Sequence, residues 1–359
     1  TAAPTAAPTA APSAVPTPAP TPAHFRILAF AGDASGSAGN SRDGDSAEQA
    51  LFAGPAGIAA APGGGVLLAD FQNHVVRKID GGVVTTIAGW GAFGFAGDGG
   101  PARDAQLTRP FGVAAGPEGR VAIADYGNDR VRVVGGAGII DTFAGGGSAV
   151  PTASALPATA SALAGPAGLA YALDGSLYIA EFLGHRVVRV TADGALTVVA
   201  GTGTSGASGD GGQGADATLY QPVAVLPDAR GGCWIADFGN NRVRHVDSLG
   251  VIRTVAGTGA AGASGDGGPA TQAQLNGPAA LALAADGALL VADMGNNKIR
   301  AVGPDGFIRT VAGTGRKGNA GDGGPALLAD LDSPVGLAIL GGTLVVSDFG
   351  NNRLRVLLP

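Results

Sequence analysis

The sequence is poor in cysteine, in charge and in aromatic residues. Cys233 is the one cysteine among 359 residues, which excludes an intramolecular disulfide and a cysteine-based zinc site. Charged residues make up 14% of the chain, aromatic residues make up 5%, and the formal net charge is −6. Broad nucleic-acid binding needs a basic face, so this balance argues against a nucleic-acid partner. No apolar run approaches the ~20 residues of a membrane-spanning helix.

Glycine, in contrast, is abundant. It accounts for 64 residues, well above the typical share of ~7%. The hydrophobic content of 45% is that of a folded chain. Many glycines among small apolar residues predict short strands that are joined by tight turns.

Residues 1–24 form a Thr/Ala/Pro-rich segment with a four-residue period. Proline fixes φ and removes a donor, so we expect an extended, polyproline-like tail that reaches ~70 Å at ~3.1 Å per residue. One interpretation is an O-glycosylated stalk, and the other is an arm that docks on a neighbouring subunit. The candidate glycosylation sites are Thr1, Thr5, Thr9, Ser13, Thr17 and Thr21.

The chain begins with Thr1 rather than Met. We therefore expect a processed form from which an export signal has been removed. This interpretation places the protein outside the cell or at the cell surface, with the periplasm as a further option.

An apolar-Ala-acid motif occurs six times in the remaining sequence. Successive acids are 55, 56, 56, 56 and 55 residues apart. Such a regular period indicates a repeat architecture. The six acids are Asp70, Asp125, Glu181, Asp237, Asp293 and Asp348.

Each repeat divides into four short strands separated by glycine-containing turns. In the first five repeats the third strand is followed by a fourth. The last repeat has no fourth strand of its own, because the sequence stops at Pro359 just after its third strand. Residues 25–32 resemble the fourth strands in sequence but precede the first repeat. We therefore predict that the repeats are the blades of a ring, and that residues 25–32 supply the fourth strand of the last blade and so close the ring. The prediction is an all-β, six-bladed β-propeller over residues 25–359, preceded by the tail at 1–24.

The repeat resembles the NHL-repeat family. The resemblance rests on stretches such as WIADFGNNRVRHV at 234–246 and LVADMGNNKIRAV at 290–302, and it covers residues 25–358. The linkers with G-D-G-G-P-A resemble those of bacterial secreted proteins and of some adhesion ectodomains. Blades 1 and 3 depart most from the pattern, with Val75 in place of the first arginine and Glu181 in place of aspartate.

Most recurring residues are predicted to have structural roles. We expect each acid to accept backbone N–H groups of the following turn and to pair with the arginine five residues later, as in Asp125 with Arg130. His74 and His185 occupy the second Asn position of the turn, and we interpret them as turn residues rather than metal ligands. Cys233 aligns with apolar positions of the second strands, which predicts a buried, inert thiol.

The G-D-G-G loops are candidate interaction loops. Calcium binding and turn stabilisation both remain open for their aspartates, although calcium takes six to eight oxygens and each loop offers one carboxylate. We expect the linkers to cover one face of the ring with small residues. The aspartates are Asp98, Asp210, Asp266 and Asp322, with a degenerate Asp43-Gly44-Asp45 before blade 1 and a Ser/Ala/Pro stretch at 148–162 before blade 3.

Some propellers that resemble this chain are enzymes, namely metal-dependent amidating lyases and lactonases with ligands in the central channel. Here the inner strands contain no His and no Glu, and their one Asp is Asp228, which lies at a strand end. We therefore predict no catalytic, cofactor-binding or metal-binding residues. Two hypotheses remain: an assembly subunit whose arm engages a neighbour to build a surface polymer or filament, and a monomeric propeller on a stalk that binds a glycan or a protein.

Overall fold

The computed structural model describes residues 25–358, and these form six antiparallel sheets. Each sheet contains four main strands in order from an inner to an outer strand, and all six inner strands line a central channel. The predicted all-β, six-bladed propeller is confirmed. The predictions for the tail at 1–24 lie outside the described residues.

The blades have the following strands, given from the inner to the outer one. Blade 1 has Pro55–Ala60, Val66–Asp70, Val75–Asp80 and Val83–Ala88. Blade 2 has Pro110–Ala115, Val121–Asp125, Arg130–Val134 and Ile139–Gly145. Blade 3 has Pro166–Tyr171, Leu177–Glu181, Arg186–Val190 and Ala195–Ala200. Blade 4 has Pro222–Pro227, Cys233–Asp237, Arg242–Val246 and Ile252–Ala256. Blade 5 has Pro278–Leu283, Leu289–Asp293, Lys298–Val302 and Ile308–Ala312. Blade 6 has Pro334–Leu340, Thr343–Asp348, Arg353–Leu358 and Arg26–Ala31.

The remaining elements are short. Two-residue strands, Gly100–Pro101 and Leu156–Pro157, extend the outer edges of blades 2 and 3. Single turns of 3₁₀-helix in the linkers are Ala47–Gln49, Ala102–Asp104, Ala158–Ala160, Gly214–Asp216, Ala270–Gln272 and Ala326–Leu328. Those between second and third strands are Phe71–Asn73, Tyr126–Asn128, Phe238–Asn240, Met294–Asn296 and Phe349–Asn351, and Pro117–Gly119 lies in the hairpin between the inner and second strands of blade 2.

Every inner strand begins at a proline. Proline has no N–H to donate to a ladder, so it is tolerated at the first residue of a strand. Its recurrence marks the point at which each linker turns into the ring. The six prolines are Pro55, Pro110, Pro166, Pro222, Pro278 and Pro334.

The N-terminal strand closes the ring. Arg26–Ala31 pairs antiparallel with the third strand of blade 6, with Ile27 opposite Leu357 and Ala31 opposite Leu354. Ile27 and Ala31 are completely buried. The predicted closure is confirmed, and it leaves blade 6 with the same four strands as the other blades.

Candidate functional site: the turn face, the linkers and the channel

One face of the ring carries the six turns between the second and third strands, and we call it the turn face. The hairpins between inner and second strands and between third and outer strands lie at the opposite end of the blades, which we call the far face. The turns span residues 71–74, 126–129, 182–185, 238–241, 294–297 and 349–352.

The recurring acid ties the turn to the start of its own blade. In blade 4 the Asp237 carboxylate accepts the backbone N–H of Tyr220 at 2.8 Å and the side-chain amide of Asn240 at 2.8 Å. The backbone donor therefore precedes the inner strand and does not belong to the following turn, which corrects the prediction. Equivalent donors to the other acids are Ala53, Thr108, Ala164, Asn276 and Asp332.

The predicted pairing of the acid with the arginine five residues later applies to four blades, and it is wrong in three of them; blades 1 and 5 have Val75 and Lys298 at that position. The partner is the residue seven positions later, such as Arg300, which lies 3.2 Å from Asp293. Both arginines of a third strand point to the same face of the sheet, since residues two apart in a strand share a face. The acids of blades 1, 2, 4, 5 and 6 pair with Arg77, Arg132, Arg244, Arg300 and Arg355.

The G-D-G-G aspartates meet the same buried arginines. Arg244 is fully buried, and its guanidinium lies 2.6 Å from Asp210 of the linker and 3.8 Å from Asp237 of the turn. Asp266 also accepts the hydroxyl of Thr310 in the outer strand at 2.6 Å. A calcium ion here would have to displace an arginine, so the geometry favours the structural interpretation. The other linker contacts are Asp98 with Arg132 and Asp322 with Arg355.

These linkers follow the outer edge of the ring instead of covering a face with their acidic loops. The N–H of Gly267 donates to Ile308 in the outer strand of blade 5, and the N–H of Ala270 donates to Gly306. The prediction that the loops pave one face is therefore corrected. Asp43 of the degenerate loop lies in the same kind of place, because it accepts the Thr86 hydroxyl at 2.7 Å and pairs with Arg103 at 3.0 Å.

Blade 3 lacks both the arginine seven residues after the acid and the linker aspartate that contacts it in other blades. Val188 occupies the arginine position, and the preceding linker is the Ser/Ala/Pro stretch. Here Glu181 pairs with Arg186, five residues later, at 2.8 Å. Loss of only one partner would leave a buried charge uncompensated, which is strongly unfavourable. The departures in blade 3 are therefore mutually compensating.

Burial dominates the acid–base properties of the six acids. It raises the pKa of Asp70, Asp125, Asp237 and Asp348 to about 6, against the opposing effect of their hydrogen bonds and arginine neighbours. The pKa values of Glu181 and Asp293 are also raised, again by burial. Burial of the Cys233 side chain is complete and raises its thiol pKa, which confirms the predicted inert core thiol.

The last residue of each turn holds the next blade. His74 Nδ1 accepts the backbone N–H of Arg109 at 3.0 Å, and His185 Nδ1 accepts that of Gln221 at 3.1 Å. Both histidines end a turn with positive φ, which agrees with their interpretation as turn residues. We call this contact the interblade clasp. In the other blades the clasp joins Asp129 to Gly165, Asn241 to Gly277, Asn297 to Ser333 and Asn352 to Gly54.

The central channel is lined by aliphatic side chains and backbone. Toward the far face it opens into a cavity of about 400 Å³. Asp228, the one acid noted near an inner strand, instead binds His245 at 2.8 Å within blade 4. Among residues 25–358 no group of three His, Cys, Asp or Glu side chains is placed to hold a metal ion. Recurrent channel residues are Ile58, Val113, Leu169, Val225, Leu281 and Leu337.

Near the turn face the channel is narrow because the inner strands approach one another closely. A Cβ atom on Gly112 would lie 2.1 Å from the carbonyl oxygen of Ala167 in the next blade. Only a very small residue fits such an approach. The equivalent residues around the neck are Gly57, Gly112, Gly168, Ala224, Ala280 and Gly336.

A ring of large, half-buried side chains surrounds this neck on the turn face. It consists of the residue after each acid, and neighbouring rings lie 6.0 to 6.5 Å apart, as between Phe182 and Phe238 or Phe71 and Tyr126. Sequence reasoning missed this aromatic collar, although the position is aromatic in five of six repeats. The collar residues are Phe71, Tyr126, Phe182, Phe238, Met294 and Phe349.

A second aromatic group on the turn face is exposed. Trp90 and Phe93, in the linker between blades 1 and 2, are 61% and 74% exposed. Phe93 lies beside His74, with 6.2 Å between the ring centres, and Phe95 packs under the guanidinium of Arg130 at 3.9 Å. Exposed apolar groups of this kind mark interaction surfaces. We call Trp90 and Phe93 the aromatic patch; the stretch GWGAFGF at 89–95 was its overlooked signal.

No helix within residues 25–358 has the length and hydrophobicity needed to cross a membrane. The comparison with protein families matches residues 331–357 to the NHL repeat. Those residues contain the inner strand, the second strand, the turn and all but the last residue of the third strand of blade 6. The match therefore covers three of the four strands of the blade and includes the acid Asp348 and the clasp residue Asn352.

Curated relatives cover larger parts of the chain. Teneurin-4 of Mus musculus is 32% identical over 234 residues, which is 57% of this chain and 8% of the teneurin. NHL repeat-containing protein 2 of Bos taurus is 30% identical over 300 residues, which is 73% of this chain and 40% of that protein. The chain thus spans less than half of the length of these relatives.

Solved structures with low sequence identity share the fold. An auxiliary nutrient binding protein from Bacteroides thetaiotaomicron superposes with a TM-score of 0.66 at 17% identity, over 93% of this chain and 76% of that one. A streptogramin B lyase superposes with a TM-score of 0.54 at 14% identity, over 93% and 97% of the two chains. These structures show the fold alone. The matched repeat, the NHL repeat-containing relative and the six four-stranded blades identify the chain as a six-bladed β-propeller of the NHL-repeat type.

Proposed function

We propose that this propeller is a non-enzymatic structural and interaction protein that works outside the cytoplasm, and that residues 1–24 engage a neighbouring subunit to build a surface polymer. The observation that carries the proposal is the position of the first strand. Arg26 pairs with Leu358, at the end of blade 6 farthest from its turn, so residues 1–24 join the ring at the far face and at its outer edge. The segment is thus attached outside the channel and away from the turn face.

The aliphatic channel supports a non-enzymatic role. Lyase and lactonase activities in related folds place metal ligands in the channel, whereas the lining here consists of side chains such as Val113 and Leu281. Lyase or lactonase chemistry is accordingly the less favoured alternative. The G-D-G-G aspartates, which we predicted as interaction loops, support assembly indirectly, since they hold the outer edge of the ring in place through buried arginines.

Location outside the cytoplasm is supported by the composition of the segment. Thr, Ser and Pro repeats are typical of O-glycosylated stalks, and Thr1 to Thr21 provide six acceptor positions. The alternative function is a monomeric propeller on such a stalk that binds a glycan or a protein through its turn face. The aromatic collar favours that alternative, as does the likeness in fold to an auxiliary nutrient binding protein.

The deciding experiment is the mass in solution of the full chain and of a chain that starts at Phe25, measured by light scattering and negative-stain microscopy. Thermal melting of both chains controls for folding. Polymers or defined oligomers of the full chain that the shorter chain does not form are the expected result. Two identical compact monomers would contradict assembly and favour the stalk, and turnover of a lactone or a streptogramin would contradict the non-enzymatic role.

A further inference from the structure

The aromatic patch occurs in one linker and is not required by the repeat. Thr202, Thr258 and Thr314 replace Trp90 in three other linkers, and Ser205, Ala261 and Lys317 replace Phe93. Those linkers keep the same glycine positions and the same contacts between linker aspartate and buried arginine. The ring therefore folds without large side chains at these positions, and the two exposed rings of this linker are free to bind something else.

The chemistry of the patch suits a proline-rich, uncharged ligand. Proline-rich segments dock on aromatic-lined surfaces, and they lose little entropy on binding because they are already extended. Residues 1–23 contain no charged and no aromatic residue, and seven of them are proline. The chain thus carries a segment with the composition that an exposed Trp and Phe pair recognises.

Geometry favours the segment of another molecule over the protein's own. Residues 1–24 join the ring at the far face of blade 6, whereas the patch lies on the turn face between blades 1 and 2. To reach the patch of its own ring, the segment must pass around the outer edge and across blade 1. A second ring stacked below presents its turn face directly to the point where the segment begins.

We propose that Trp90 and Phe93 form the docking site for the Thr/Ala/Pro segment of a second copy of this chain. The inference rests on the proposed assembly function and names its contact site. A segment on one face and its receptor on the other make a heterologous, head-to-tail contact, which propagates as an open filament unless the rotation closes a ring. Each added subunit then leaves one free patch and one free segment.

The test uses the full chain and the double variant Trp90→Thr with Phe93→Ser. These are residues that the chain itself places at equivalent linker positions, so the ring is expected to fold. The matched control is Leu173→Thr with Leu249→Thr, which changes two far-face side chains that are 90% and 80% exposed. Light scattering over a concentration series gives the mass, and a synthetic peptide of residues 1–24 serves as competitor.

The expected result is assembly of the parent and of the far-face control, at least tenfold weaker assembly of the patch variant, and dissociation of the parent by the peptide. A patch variant that assembles like the parent overturns the docking site but leaves the proposed assembly function standing. A parent that is monomeric at every concentration overturns the assembly function itself. Peptide binding that depends on the patch in such a monomer would assign the patch to the protein's own segment, contrary to the inference.

Discussion

The Nδ1 atom of His74 accepts the backbone N–H of Arg109 at 3.0 Å, and both residues have a left-handed backbone conformation. The same clasp recurs between every pair of successive blades, including Asn352 and Gly54 where the ring closes. An imidazole can accept this bond only through an unprotonated nitrogen. Two of the six clasps therefore depend on a neutral histidine.

This dependence predicts that a lower pH destabilises the ring at His74 and His185. Burial lowers the pKa of both side chains from 6.5, so their contribution to folding is present above the unfolded pKa and is lost as the pH falls through the folded pKa. Changing both residues to Asn keeps an acceptor oxygen and removes the titration. We expect the melting temperature of the double variant to fall less than that of the parent between about pH 8 and about pH 5.

The buried acids change the stability of the ring with pH in the direction opposite to the histidines. The effect of the histidines is therefore measured as the difference between the parent and the histidine variant. A carboxyl group whose pKa burial raises from 3.8 to about 6, as in Asp125, contributes stability that is present below 3.8 and lost as the pH rises through about 6. The parent and the histidine variant share these acids, so their effect cancels in the difference. His24→Asn is the matched control. If the melting temperature of the double variant changed with pH as that of the parent does, the clasps would not depend on neutral histidines.

The sequence predicted the ring, its closure and the turn conformations because these follow from local period and turn chemistry. The sequence analysis paired Asp237 with Arg242, whereas the structure pairs it with Arg244. Both arginines point to the same face of one strand, and only the packed linker decides between them. The sequence analysis also missed Trp90 and Phe93. The stretch GWGAFGF distinguishes this linker from the others, but only the assembled ring shows that these two side chains are exposed.

The neck of the channel predicts strong sensitivity at Gly112. A Cβ there meets the Ala167 oxygen at 2.1 Å, so Gly112→Val forces two inner strands apart. We expect Gly112→Val to lower the free energy of unfolding by about 1 to 3 kcal/mol or more, as overpacking does. Ala224→Gly at the equivalent neck position is the control and should cost less than about 1 kcal/mol. Equal denaturant midpoints for the Gly112 variant and the parent would contradict the close approach.

Ring closure predicts different outcomes for two deletions. Removal of residues 1–32 exposes the edge of Arg353–Leu358 and removes the buried side chains of Ile27 and Ala31, so we expect unfolding or aggregation. Removal of 1–24 leaves these contacts intact and should preserve the melting temperature measured by circular dichroism. A 1–32 deletion that melts like the parent would mean that blade 6 does not need its outer strand.

The charge arrangement of blade 3 predicts a rescue in blade 4. Arg244→Val leaves Asp237 buried without its cation and frees Asp210, so we expect a loss of about 3 to 5 kcal/mol in the free energy of unfolding. Adding Asp237→Glu recreates the acid of blade 3 opposite Arg242, which occupies the position of Arg186.

The longer carboxylate should then reach Arg242 as Glu181 reaches Arg186, and the double variant should regain a measurable part of the lost stability in denaturant unfolding. Asp237→Glu alone is the control, because with Arg244 still present the extra methylene has no vacated space to fill and is expected to destabilise. Additive losses in the double variant would show that the two departures of blade 3 are independent. Recovery would show that one buried carboxylate needs one arginine, whichever position of the strand supplies it.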